Sequence, residues 1–224
     1  MKKKANSRTD RARRQDSNHS VLREEWQSIL VAARANPLPP QGLHRMSAAL
    51  PETSEHDGHL LIRHFKSDDL IWLGPSKSKV SLGRLVVVRE LLRLKPGPNA
   101  FIISNAFRSA FSTFRRDTPV TRRFLTLSTP RQPLAVQGAL LFLLREHLRL
   151  VAIVAAGAHS LEGWYQWKPE WDEPAVREQL QERLAGLGFG DKCLNPLRTW
   201  HLPGVVNPLT NFTQSLLYLN PNHE

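Results

Sequence analysis

The stretch running from Arg149 to Trp167, RLVAIVAAGAHSLEGWYQW, decides how this chain is read. Its first nine residues are apolar and β-branched after the leading arginine, the composition of a strand buried on both faces. Small and polar residues from Gly157 to Ser160 then make a turn, and GWYQW follows as an aromatic strand. Gly157 permits close backbone approach and Ser160 offers a hydroxyl, which a phosphate could use. Glu162 carries a charge that repels phosphate. The spacing is neither that of a P-loop nor that of the G-x-G-x-x-G fingerprint, so local chemistry alone gives a structural turn.

Working outward, PLAVQGALLFLLREHL (133–148) reads as a helix and RFLTLS (123–128) as a strand. NAFIIS (99–104) and DLIWLG (69–74) are further strands, the latter ending at Gly74. The region 80–95, beginning VSLGRLVVVRELLRL, has helical length and is stopped by Pro96-Gly97-Pro98. SKSK (76–79) is an exposed turn. Downstream, EPAVREQLQERLAGL (173–187) is an amphipathic helix, and LRTWHLPG (197–204) and QSLLYLNP (214–221) are extended. Upstream, Ser20 caps a helix whose face is Leu22, Trp26, Ile29, Leu30 and Ala33, ended by Asn36-Pro37. The NPLPPQG linker, a short helix from Leu43 to Leu50 and the polar loop PETSEHDG follow. Helices and strands are mixed without a repeat, which places the chain in the α+β (mixed α/β) class.

The chain has 224 residues, with 31 Lys+Arg against 20 Asp+Glu, a net charge of +11. Such a surplus favours polyanionic partners, nucleic acid first and an anionic membrane surface second. Residues 1–20 hold seven basic and two acidic side chains and almost nothing apolar, so they are expected to be a disordered basic arm. Lys2, Lys3, Lys4, Arg11, Arg13 and Arg14 would contact phosphates, or would simply keep the chain in solution. Residues 21–66 are expected as an N-terminal helical segment packing on a core formed by 67–224. The single cysteine, Cys193, excludes an intrachain disulfide. The N-terminus lacks the apolar core of a signal peptide, and no run approaches a membrane span, giving a cytoplasmic expectation.

His56, His59 and His64 fit no standard metal spacing and read as solvated loop residues. Cys193 reads as a buried inert thiol, and Ser160 lacks a nucleophile elbow. Arg108, Arg115, Arg116, Arg122 and Arg123 are interleaved with Phe107, Phe111, Phe114 and Phe124. Guanidiniums pairing phosphates beside rings stacking on bases is one interpretation; core phenylalanines under a solvated arginine face is the other.

Taken together, residues from about 69 to 221 resemble the primase-polymerase domain of the archaeo-eukaryotic primase superfamily. DLIWLG is similar to that family's opening strand. RRFLTLS stands where R-R-F-L-V-V-E-S-D carries metal-binding acids. RLVAIVAAGAHSLEGWYQW resembles an apolar strand followed by G-G-K-S-L-H-G-W, and LRTWHLPG with QSLLYLNP resembles the closing V-R-L-P-G and Q-x-L-L-Y segments. The resemblance implies nucleotidyl transfer with two divalent metals held by paired carboxylates. It also implies a two-layer fold with a central mixed sheet flanked by helices, and a triphosphate contacted by residues of the turn.

On that pattern Ser160 matches the family serine. His159 replaces the lysine, Glu162 the histidine, and His201 the arginine before L-P-G. Ser128 and Thr129 occupy acidic positions, and no Asp or Glu lies between Asp117 and Glu146. Asp191 is a weak match to a later family acid. Hydroxyls are poor substitutes for carboxylates around Mg²⁺. The resemblance therefore implies a pseudoenzyme without metal or cofactor, with Gly157, His159, Ser160, Glu162 and His201 as the remnant of a nucleotide site. It would bind DNA or RNA and serve replication or mobile-element proteins. One alternative is an active primase-polymerase using Mg²⁺ or Mn²⁺ at a site rebuilt around Glu162 and Asp191. Another is a protein-interaction subunit that reuses the fold.

Overall fold

The computed structural model describes residues 24–47, 50, 56–76, 82–94, 100–109, 120–207 and 210–220. The basic arm of residues 1–20 lies outside them, as do Arg115, Arg116 and most of the SKSK turn. Helix α1 (24–35) turns Trp26, Ile29 and Ala33 inward. Helix α2 (Pro40–Met46) starts earlier than its sequence suggests, because proline fits a first turn whose N–H groups have no helical partner. Helix α3 (Asp57–Ile62) forms within and just after the expected polar loop, burying Leu60, Leu61 and Ile62.

Strands β1 (Leu70–Gly74) and β2 (Arg84–Val87) form a pair, and only Val88–Leu91 beyond them is helical (α4). The region 80–95 is therefore not one helix. Leu85, Val86 and Val87 pair with Trp72, Ile71 and Leu70, and tertiary pairing outweighs helical length in a β-branched run. There follow β3 (Phe101–Ile103), β4 (Ala106–Phe107), β5 (Val120–Thr121), β6 (Phe124–Leu127) and helix α5 (Leu134–Leu143). The central hairpin is β7 (Leu150–Gly157) and β8 (Ser160–Gln166), so the second strand begins three residues before GWYQW. Helix α6 (Pro174–Gly186), β9 (Thr199–His201), β10 (Val206–Asn207), β11 (Phe212–Thr213) and β12 (Ser215–Leu219) complete the chain.

The α+β class is as expected, but the strands divide between two principal sheets instead of one central mixed sheet. One runs β5-β4-β1-β3-β9 with β2 on β1; the other runs β12-β7-β8-β6; β10 and β11 form a small ribbon. Every strand pair among the described residues is antiparallel. The physical reason begins at the hairpin: Ala158 and His159 alone connect β7 to β8, too short a link for a parallel crossover.

The two sheets face each other across a core that includes Ile71, Leu73, Ile102 and Trp200 from the first and Phe124, Val154, Trp164 and Leu216 from the second. The outer face of the second sheet, with Leu125, Ile153, Leu161 and Tyr165, packs on Leu140, Leu141, Leu184, Trp26 and Ile29 of the helices. Gly138 lets the linker lie directly on α5. A Cβ there would meet the Leu38 carbonyl oxygen at 2.2 Å, and the Leu38 N–H donates to the Ala135 carbonyl at 2.8 Å. Among the described residues no helix is long and apolar enough to cross a membrane.

His56 ties α3 to the loop after β9. Its Nδ1 accepts the Gly58 N–H at 3.1 Å, and its ring lies against Gly204, whose φ of +79° suits glycine. Burial, and then the neighbouring His59 ring at 5.8 Å, hold the imidazole below its ordinary pKa, with Asp57 and the Gly204 backbone pulling the other way. A protonated Nδ1 could not accept from Gly58. The depressed value means that His56 contributes stability above its unfolded pKa of about 6.5 and loses it as pH falls through the lower folded value. The thermal midpoint is expected to fall between neutral and acidic pH by more in the wild type than in His56→Asn, which caps the helix without titrating. Parallel melts across that range check this; identical pH profiles would refute it.

Candidate functional site

Ser160, Glu162 and Trp164 alternate along β8 and so share one face. Trp164 packs between the sheets, so that face looks toward the first sheet. Across the pair, Thr126 sits opposite Trp164 and Leu127 opposite Gly163. One residue beyond, Ser128 places its Oγ 3.3 Å from Ser160 Oγ.

Glu162 is 3% exposed. Its Oε2 accepts the backbone N–H of His201 at 3.0 Å, and its Oε1 lies 2.5 Å from His201 Nδ1. His201 belongs to β9 of the other sheet, opposite Phe101, with the two rings 5.2 Å apart. One carboxylate thus joins the sheets, and both of its oxygens are engaged by a single residue.

The structure brings together Ser128, Ser160, Glu162 and His201. Asp191 opens the short turn Asp191–Leu194, which packs against β6 and α6; only its backbone is among the described atoms. Thr129 is buried and its Oγ1 has no hydrogen-bond partner among the described residues. Gly157 closes the hairpin opposite Ser160, and a Cβ there would meet nothing within 4 Å. No contact within the described residues explains glycine at that position.

His159 is exposed, and its carbonyl, not its ring, is anchored. The anchor is Gln137 of α5, 0% exposed. Its Nε2 donates to the carbonyls of His159 (2.9 Å) and Gln132 (2.8 Å), and its Oε1 accepts the Leu161 N–H at 2.9 Å. Sequence reasoning passed over this residue. The available signal was an amide alone in the apolar run PLAVQGALLFLL, since a buried amide must find partners.

The arginines part company. Arg108 is exposed. Arg123 forks onto buried Asp69, Nε to Oδ2 at 2.7 Å and Nη2 to Oδ1 at 2.5 Å, while Asp69 also accepts the Lys66 N–H. Arg122 lies over Trp167 at 4.4 Å, donates to the Leu194 carbonyl at 3.1 Å and stands 3.7 Å from Asp172. Burial and then Arg177 lower the pKa of Arg122, and Asp172 opposes them. Both side chains therefore have bonding roles inside the fold. Lys2, Lys3, Lys4, Arg11, Arg13, Arg14, Arg115 and Arg116 lie outside the described residues.

Divalent magnesium and manganese need charged oxygen ligands. The convergent set offers two hydroxyls and a carboxylate already taken by His201, which does not fit such an ion. No group of three or more His, Cys, Asp or Glu suited to a metal occurs among the described residues. Cys193 is buried.

No family model matches the chain, and no curated protein matches it. The chain is similar to a solved structure, the AEP domain of the cyanophage S-2L primase-polymerase, at 15% identity and a TM-score of 0.44, covering 74% of this chain and 88% of that one. At that score no chemistry is carried across.

Proposed function

We propose that the chain is a catalytically degenerate, primase-like protein that binds nucleic acid, acting in the cytoplasm as an accessory factor in replication or in a mobile genetic element. What supports this above all is Glu162: the acid beside the Ser128–Ser160 pair is bound to His201 through both oxygens. Nucleotidyl transfer by two metals needs free carboxylates to hold them. A site edged by two serine hydroxyls supplies hydrogen bonds but not that charge. The surplus of basic residues supplies the attraction to a polyanion.

Binding to short DNA and RNA is expected to weaken steeply with salt, with a log–log slope of about −0.7 to −0.9 for each phosphate neutralised. Titrations at several salt concentrations measure it. Failure to bind at low salt would remove the proposal. Primer synthesis and extension with Mg²⁺ or Mn²⁺ are expected to give no product. Product that vanishes in Glu162→Gln would instead establish an active enzyme.

A further inference from the structure

Six tryptophans occur in the chain, and among the described residues Trp26, Trp167, Trp171 and Trp200 each carry a cation over the ring. Arg198 covers Trp200 at 4.3 Å, and Arg122 covers Trp167 at 4.4 Å. Lys168 stands 5.7 Å from the Trp171 ring, and Arg183 stands 5.8 Å from the Trp26 ring. Two of these pairs are local in sequence, and two, Arg122–Trp167 and Arg183–Trp26, join distant segments. Trp200, Arg122 and Trp167 line one small crevice at the β6 edge. Trp167 and Trp171 meet edge to face at 5.2 Å. Trp171, Lys168, Trp26 and Arg183 then share the walls of an open cleft of about 370 Å³ between α1 and α6.

The cleft's volume lies at the lower end of the range usual for small-molecule sites, about 300–1,000 Å³. Two acids also line the cleft: Glu146 pairs with Arg145 at 3.1 Å, and Glu25 lies 3.9 Å from a ring nitrogen of His147. Lys168, Arg183 and Arg198 are partly exposed, and Arg122 is mostly covered. The four rings are buried at 7% exposure or less, so Lys168, Arg183 and Arg198, standing over three of them, present the partly exposed surface, while Arg122 is largely enclosed. A guanidinium stacked on an indole keeps its outer plane for a base and its N–H groups for phosphate.

We infer that this chain of tryptophan-backed cations, from Arg198 to Arg183, is a track for single-stranded nucleic acid, with one nucleotide seated in the α1–α6 cleft. Only an unpaired strand offers both base faces and backbone to such a surface. The inference rests on the nucleic-acid-binding role proposed above and adds the path and the strandedness.

The test uses the full chain and a fluorescent oligothymidine in anisotropy titrations at several salt concentrations. Lys168→Glu with Arg183→Glu is expected to weaken binding by about tenfold or more at low salt. Lys168→Gln with Arg183→Gln removes charge more gently and is expected to flatten the log–log salt slope by about 1.4, two phosphate contacts at roughly 0.7 each. Circular dichroism of both variants confirms that they fold. A duplex of equal length is expected to lose less affinity than the single strand on either change. If both variants, folded, bind as the wild type does, the track is wrong and the nucleic-acid-binding role stands. If the wild type itself ignores the oligonucleotide at low salt, that role fails and takes the track with it. Displacement of the oligonucleotide by polyglutamate at equal charge would mean an acidic protein partner and would also overturn the track.

Discussion

Glu162→Ala is expected to lower the free energy of unfolding by about 3 to 5 kcal/mol, the usual loss when one member of a buried charged or hydrogen-bonded pair is removed. The alanine would leave the His201 N–H and Nδ1 without the carboxylate oxygens they now face at 3.0 and 2.5 Å. Water cannot easily take over, because Glu162 and His201 are 3% and 9% exposed. Glu162→Gln keeps the shape and one good acceptor, so its cost is expected to be smaller. Urea denaturation at neutral pH measures both. A loss for the alanine variant below about 1 kcal/mol, within the range of an ordinary exposed pair, would show that the contact does not hold the sheets together.

Gln137→Ala is expected to cost roughly 3 to 4 kcal/mol, since it deletes three hydrogen bonds worth about 1 kcal/mol each and strands the buried Leu161 N–H. Gln137→Leu fills most of the lost volume but supplies no acceptor, so it separates packing from bonding. If the amide is what matters, leucine rescues little. Hydrogen exchange at Leu161 gives an independent reading, because its amide loses protection in either variant. Full recovery of stability in Gln137→Leu would assign the residue to packing alone.

Period and composition made the longer elements legible. The run from Leu150 to Gly157 is apolar throughout because it is buried on both faces, and α6 begins and ends where its proline and glycines place it. Short strands left no such trace. Ala106–Phe107 and Val120–Thr121 are two residues each, too brief for any alternation to register, and they exist because β1 and β4 present paired edges. In the region 80–95 the β-branched residues were visible, but their pairing with β1 depends on residues ten and more positions away. Helix α3 was hidden by the polar composition of its first turn, where His56 and Asp57 bond to backbone groups.

The site was legible as a set of residue types. Ser160 and Glu162 drew notice as neighbours in one turn, and the resemblance to primase-polymerase segments brought Ser128 and His201 into consideration. What no spacing could give was the bond between Glu162 and His201, because it joins strands from different sheets. The same holds for Arg123, whose partner Asp69 is 54 positions away. Charge patterning sees an arginine cluster; only the folded chain distinguishes the guanidinium already held by a carboxylate from the one still facing water.

The seat of Leu38 on Gly138 has a practical corollary. Where a carbonyl oxygen occupies the place of a side chain, the segment ahead of it is no detachable leader but part of the wall that α5 needs. A shortened version of this molecule beginning near residue 67 would leave that wall open to solvent, so trimming for expression or crystallisation belongs upstream of α1.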